Sequence, residues 1–365
     1  MIKRKYISTR LLESGMVIDQ SIVDGTGRVL VARKTPLDDY IIDGLRKLKI
    51  TGVYIREGEE ELISAEIEVS PETLQTIEKL KKADRTKLQL SESVKARVAT
   101  GMQFMFNNPK DSGCVDAAKS ISGDLMKTIT ENDAVAVNID ALKVSDEYTF
   151  KHSVDVASIA MIIARQSGMP EKDVHQIGVA GLLHDLGKSE IPNEILNKPS
   201  RLTDEEFEIM KSHPVKGYNL LKDKPDIAPE ILMGVLQHHE KMGGNGYPLA
   251  LPAAKISPYA KILAVADIYD ALVTERPYKK GFSPRDAVEM IMAMTEDLDV
   301  NMIKMFLKSV ILYPVDSVVN LSTGEVAKVV ENNIDYPTRP KVVTLAAGKV
   351  LDLALDVNCA SIIIE

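Results

Sequence analysis

The sequence has no tryptophan, only two cysteines and only six histidines among 365 residues, and aromatic residues make up 5% of it. Cys114 and Cys359 lie far apart and form no CxxC pattern. That excludes a disulfide framework or thiolate metal site and reads as two reduced, buried thiols. No apolar run approaches the roughly 18 residues of a membrane span; the run from Ile159 to Ala164 is short and reads as core helix. The basic start MIKRKYISTR has no apolar stretch after it, so no signal peptide is expected and the chain reads as cytoplasmic. Positive charge is also lacking, since the net charge is −8. A diffuse acidic balance argues against binding long nucleic acid, which rewards a basic face. It leaves room for a small anionic ligand, because a bound metal reverses the local field.

What is present divides by texture. Residues 1–69 carry Ile18, Ile22, Val29, Leu30 and Val31 around a DGTG turn at Asp24–Gly27, which predicts a β-hairpin. A helix with Leu37, Ile41, Ile42, Leu45 and Leu48 on one face follows, then a short strand, GVYI. This is a small α/β or β-rich N-terminal domain. Ser70-Pro71 starts a helix, with Ser as cap and Pro first. Residues 70–139 read as a helical connector, broken by a loop over 101–120. Residues 140–313 are almost wholly helical, with a capping box at Thr203–Glu206 and further Ser-Pro starts at Ser257 and Ser283. Residues 314–365 alternate and turn at Ser322–Gly324, a small β appendage. The fold class is therefore mainly α, a helical bundle flanked by small β-containing pieces.

Five of the six histidines lie in the helical region beside acidic companions. His184-Asp185 ends a helix carrying Val174, Ile177, Val179, Leu182 and Leu183, a dry setting in which an ionised carboxylate needs a cation. His238-His239 ends PEILMGVLQHHE. Neighbours on a helix point about 100° apart, so the pair is expected to serve two ions, or one ion and a substrate oxygen. Asp267 interrupts the apolar surface of KILAVADIYDAL, with Asp270 one turn on. His152 begins an apolar helix, and His213 follows the capped one. A single such residue is commonly a satisfied core group, but five His and two Asp on buried helices predict a metal centre. Imidazole and carboxylate without thiolate suit Mn, Fe or Zn, and a high coordination number favours Mn or Fe. His175 does not fit and reads as a solvent-facing or capping residue.

HDLGK, HHE, NGYP and ADIYDAL followed by TERPYK together resemble the HD-GYP family, a subgroup of the HD-domain phosphohydrolases, over about residues 140–313. The resemblance implies an HD-type helical bundle, preceded by a regulatory N-terminal domain. It also implies hydrolysis of cyclic di-GMP to pGpG, and on to GMP in some members, through a metal-bridged hydroxide. Carried over by position, the metal ligands are His152, His184, Asp185, His213, His238, His239 and Asp267. Asp185 bridges the ions and orients the hydroxide, and Lys188 meets the scissile phosphate. Asp270, Arg276, Lys279 and Tyr247 fall in the substrate region; Arg would recognise phosphate by a planar fork and Lys as a point charge.

Two departures stand out. The usual HHERxDGxGYP is here HHEKMGGNGYP, with Lys241 and Gly243 at the changed positions. These bear on loop order, substrate fit and partner contacts, and give the competing expectation of a catalytically weak cyclic di-GMP receptor acting through a partner protein at this loop. An HD hydrolase for another nucleotide is a third reading. Three-metal members carry a Glu where Tyr148 stands, so two divalent ions, Fe or Mn, are expected. The connecting helices offer a homodimer surface, although no heptad pattern runs along them.

Overall fold

A computed structural model describes the chain apart from residues 1–2, 19–21, 24–28, 32–34, 36, 38, 48–49, 51, 58–68, 85–89, 132–147, 199, 275–280 and 365. The chain divides into two compact units, Met1–Val69 and Ser70–Glu365.

In the first unit β1 (Lys3–Ser8), β2 (Val17–Ile18), β3 (Ile22–Val23), β4 (Val29–Val31), α1 (Asp39–Lys47) and β5 (Gly52–Glu57) follow in order. The strands β3 and β4 pair antiparallel, Ile22 opposite Val31; the turn expected between them lies outside the described residues. β5 is the centre of an antiparallel sheet ordered β1-β5-β2. The alternating KRKYIS of β1 gives no apolar run to mark a strand, and charged residues are common on a sheet edge, where they discourage pairing with another chain. Ile18, Leu37, Ile42, Leu45, Val53 and Ile55 close a small core.

The second unit opens with α2 (Pro71–Leu80), α3 (Glu92–Asn107) and α4 (Gly113–Glu131). Ser70 Oγ accepts from Thr73 N–H at 3.1 Å, the cap that its Ser-Pro pattern predicts. The loop expected over 101–120 is only 108–112. The breakers Asn107, Asn108 and Pro109 end one helix, but Val115, Ala118, Ile121 and Leu125 then bury a helical face in the core. α5 (Tyr148–Gln166) and α6 (Glu171–Leu183) follow, then α7 (Asn193–Leu196), α8 (Asp204–Met210), α9 (His213–Leu221), α10 (Pro229–Gln237), α11 (Pro258–Val273), α12 (Pro284–Ala293) and α13 (Val300–Lys308). α5 is the hub, packed against α6, α11 and α13. Its side chains from Val154 to Ala164 are buried throughout. Among the described residues no helix is long and apolar enough to cross a membrane.

The last strands, β6 (Val318–Asn320), β7 (Val326–Glu331), β8 (Lys341–Thr344) and β9 (Val350–Asp352), form an antiparallel meander. Gly324, at φ +82°, makes the first turn. Helix α2 packs on β7 and β8, and Lys82 N–H donates to Val330 O at 2.9 Å. The connector thus joins this sheet at its start and the helical core at α3 and α4.

Candidate metal centre

Residues from five helices or their ends converge on one site. His152 comes from the first turns of α5, and His184 and Asp185 from the end of α6. His213 is the first residue of α9, His238 and His239 follow α10, and Asp267 and Asp270 lie on α11. Gly187 lets the turn after Asp185 meet α9, since a Cβ there would stand 2.0 Å from His213 O and 2.4 Å from Gly217 N.

The seven expected ligands are all brought together. His152 Nε2 lies 3.3 Å from Asp267 and 3.5 Å from Asp185. Asp185 Oδ2 is 3.3 Å from His184 Nε2, and its Oδ1 is 3.3 Å from His213 Nε2. His239 Nδ1 reaches Asp267 at 3.9 Å. Two clusters have ligand atoms close enough to hold an ion: His152, His184 and Asp185, and His213, His238 and His239. His238 and His239, expected to serve two ions, or one ion and a substrate oxygen, follow the last residue of α10, Gln237, and their rings lie 4.1 Å apart.

The tautomers follow from the backbone. His184 Nδ1–H donates to Gly181 O at 2.7 Å, His213 Nδ1–H to Met210 O at 2.9 Å, and His238 Nδ1–H to Val235 O at 2.8 Å. A carbonyl only accepts, so each Nδ1 carries the hydrogen and each Nε2 presents a lone pair. His213 Nε2 and His238 Nε2 face one another at 3.2 Å. His184 Nε2 and Asp185 Oδ1 are buried without a hydrogen-bond partner. Acceptor facing acceptor in a dry pocket fits a divalent cation, and imidazoles oriented through their second nitrogen are the usual support for one.

Charge is arranged to match. Burial lowers the His213 pKa to about 4 and that of His239 to about 3; burial and the neighbouring imidazoles hold His238 well below the usual value. All three are neutral, as ligands must be. Burial also opposes charge on His152, but bonds to Asp185, Asp267 and Asp270 outweigh it and raise its pKa well above the ordinary imidazole range. Asp185 and Asp267 stay ionised: burial is overcome by His184, Lys188 and His152 for the first, and by His152 and His239 for the second.

The remaining candidates separate. Lys188 Nζ sits 2.5 Å from Asp185 Oδ2, at the pocket edge. Tyr247 stacks on His239 with ring centroids 4.6 Å apart, and burial together with Asp267 and Asp185 raises its hydroxyl well above the usual phenol range, so it stays a donor. Asp270, expected in the substrate region, is fully buried; it accepts from His152 Nδ1 at 2.6 Å and from Thr274 Oγ1 at 3.0 Å. It orients His152 and leaves no face for substrate. Arg276 and Lys279 lie outside the described residues, and Tyr148 is the first residue of α5, its side chain likewise outside them. His175 is neither a cap nor solvent-facing: half-buried in mid-α6, it donates from Nε2 to Lys119 O at 3.1 Å.

Two residues escape a reading for ligands. Asp155 is fully buried one turn after His152, without a hydrogen-bond partner, and burial and Asp270 raise its pKa well above the ordinary carboxylate range. Its i, i+3 spacing from His152 on an apolar helix was the available signal. Glu240 is buried beside the ligand histidines. Lys241 pairs with Asp297 at 3.0 Å, so the altered loop is anchored by its own contacts.

Residues 136–302 match the HD domain family. A cyclic di-GMP phosphodiesterase of Pseudomonas aeruginosa is 34% identical over 249 residues, 68% of this chain and 60% of that protein. Another, of Borreliella burgdorferi, is 29% identical over 212 residues, 58% of this chain and 56% of that protein. The chain thus spans less than two thirds of the length of these relatives. A solved HDG"Y"P protein from Bdellovibrio bacteriovorus aligns at 20% identity with a TM-score of 0.48, covering 83% of this chain and 98% of that one. The paired histidine clusters, the HDLGK turn and the GYP loop thus fall in or beside residues 136–302, which match the HD domain family, in a chain that resembles proteins of the HD-GYP type.

Proposed function

We propose that this chain is a metal-dependent phosphodiesterase that hydrolyses cyclic di-GMP, opening the ring to pGpG. The observation that carries the reading is a pair of three-residue clusters with the Asp185 carboxylate between them, its two oxygens facing one cluster each. Two divalent ions, Fe or Mn, would be held by His152, His184, Asp185 and Asp267 on one side and by Asp185, His213, His238 and His239 on the other. Such ions, when bound, supply the positive charge that activates water and neutralises a phosphodiester.

The protein's own groups do the rest. Asp185 holds the attacking water's proton at a carboxylate oxygen and so aims its lone pair. Lys188 stabilises charge on the phosphoryl oxygens as the transition state forms, which leaves the ribose 3′ oxygen as the group expelled. Tyr247, half-buried on His239, contributes a hydroxyl to the wall of the pocket. Arg276 and Lys279 would add phosphate contacts by their chemistry. The receptor reading rested on Lys241 and Gly243, and the pairing of Lys241 with Asp297 supports an ordered loop. A cytoplasmic setting is part of the proposal, supported by the two free, buried thiols.

The test is turnover of cyclic di-GMP by protein purified with Mn or Fe(II) under reducing, anaerobic conditions. Formation of pGpG is expected. Tight nucleotide binding with no product would overturn the enzyme reading in favour of a receptor.

A further inference from the structure

The segment after His239 folds back on itself through one carboxylate. Glu240 is 3% exposed. Its Oε1 accepts from Leu249 N–H at 2.7 Å and its Oε2 from Leu251 N–H at 2.9 Å. Among the described residues no Lys or Arg pairs with it, so its charge is met by these two backbone amides. Two further contacts tighten the loop. Tyr247 N–H donates to His239 O at 3.2 Å, and Gly246 passes so close that a Cβ would stand 2.4 Å from Lys241 N. The loop's other arm is tied outward: Met242 N–H donates to Asp297 O at 3.0 Å, beside the Lys241–Asp297 pair. The product of this closure is the place of Tyr247, whose ring lies 4.6 Å from that of His239 at 31°.

A carboxylate buried on two backbone amides is a costly way to make a turn that serves stability alone, because an amide or hydroxyl acceptor would lose less on leaving water. What it gains is a fixed loop, with both ends of the segment from Lys241 to Leu251 fastened to the residue that follows the metal-ligand pair. We infer that Glu240 is a positioning residue for substrate: it closes this loop so that Tyr247 is set against His239, in the wall that receives the phosphodiester. Glu240 touches neither ion nor nucleotide; it acts through Tyr247. The inference rests on the phosphodiesterase reading for its substrate, but its geometric part stands apart from it.

The experiment compares the full-length, metal-loaded chain with E240Q and E240A. Glutamine keeps one acceptor oxygen and so one of the two amide bonds; alanine keeps neither. KM for cyclic di-GMP is expected to rise in the order parent, E240Q, E240A, by about tenfold for alanine, with kcat lowered less than about threefold and bound metal unchanged. A second arm needs no turnover. Because the chain has no tryptophan, Y247W is a single emitter at the stacked position, and adding E240A should red-shift its emission and open it to iodide quenching. An unchanged KM with an unshifted emission would overturn the inference, as would loss of bound metal in E240A, which would make Glu240 a support of the metal pocket itself. If the parent chain fails to cleave cyclic di-GMP, the proposed activity falls and the emission arm still decides the loop. If E240A does not fold, E240Q and Y247A carry the test, and a parent-like KM in both would refute it.

Discussion

On one side of the pocket His152, His184 and Asp185 stand with Asp267 and Asp270 at hand; on the other are His213, His238 and His239. The second group meets carboxylates only at its border, Asp185 at 3.3 Å from His213 and Asp267 at 3.9 Å from His239. Burial is similar for the buried imidazoles of both groups, yet the pKa of His152 is raised while those of His213, His238 and His239 are lowered. In the same dry setting, carboxylate neighbours decide whether an imidazole holds a proton or offers a lone pair. On the proposed two-ion reading, the first side would exchange a proton for its ion, and the second would bind as it stands.

Asp185 reaches both sides at 3.3 Å, closer than Asp267 comes to His239, so its removal breaks the comparison most completely. Asp185→Ala should abolish metal binding and lower turnover by about a thousandfold or more, read by metal analysis and cyclic di-GMP hydrolysis together; a variant keeping both metal and full rate would refute its bridging role. Lys188→Ala removes the cation paired with Asp185 but none of the expected metal-binding side chains, and should cost about a hundredfold in kcat with metal still bound.

Asp270→Asn acts on the first side alone, through His152 Nδ1, and should weaken metal affinity or activity by about ten- to a hundredfold. Near pH 7 metal uptake should release about one proton, from His152, because a raised pKa keeps that ring charged in the metal-free protein. Calorimetry in buffers of different ionisation enthalpy measures it. Affinity should climb with pH through the His152 range, whereas His213 and His239, at about 4 and about 3, compete for protons only in acid. His175→Ala is the smallest change: it loses one bond to Lys119 O and should cost about 1 kcal/mol of stability with metal content intact.

Much of this pocket was legible because its ligands sit at breaks in apolar helices. His184-Asp185, Asp267 and His152 each interrupt a buried stripe, and such an interruption asks for a partner. Local capping chemistry was legible for the same reason of short range: the Thr203–Glu206 capping box and the Ser257 and Ser283 caps all form as their patterns predict. What failed was set by distance in the chain. Asp270 meets His152 across 118 residues, and no pattern around either reveals which carboxylate turns inward. β1 is recognisable only once β5 pairs with it. The orientation of His238 and His239 depends on where α10 stops, and the run QHHE carries no glycine or proline to mark that end.

The central claim is a pocket of two ions bridged by Asp185. Counting metal per chain in protein purified anaerobically with Mn or Fe(II) tests it most directly. The account predicts two ions, both lost in Asp185→Ala; one ion or three in the parent chain would contradict it.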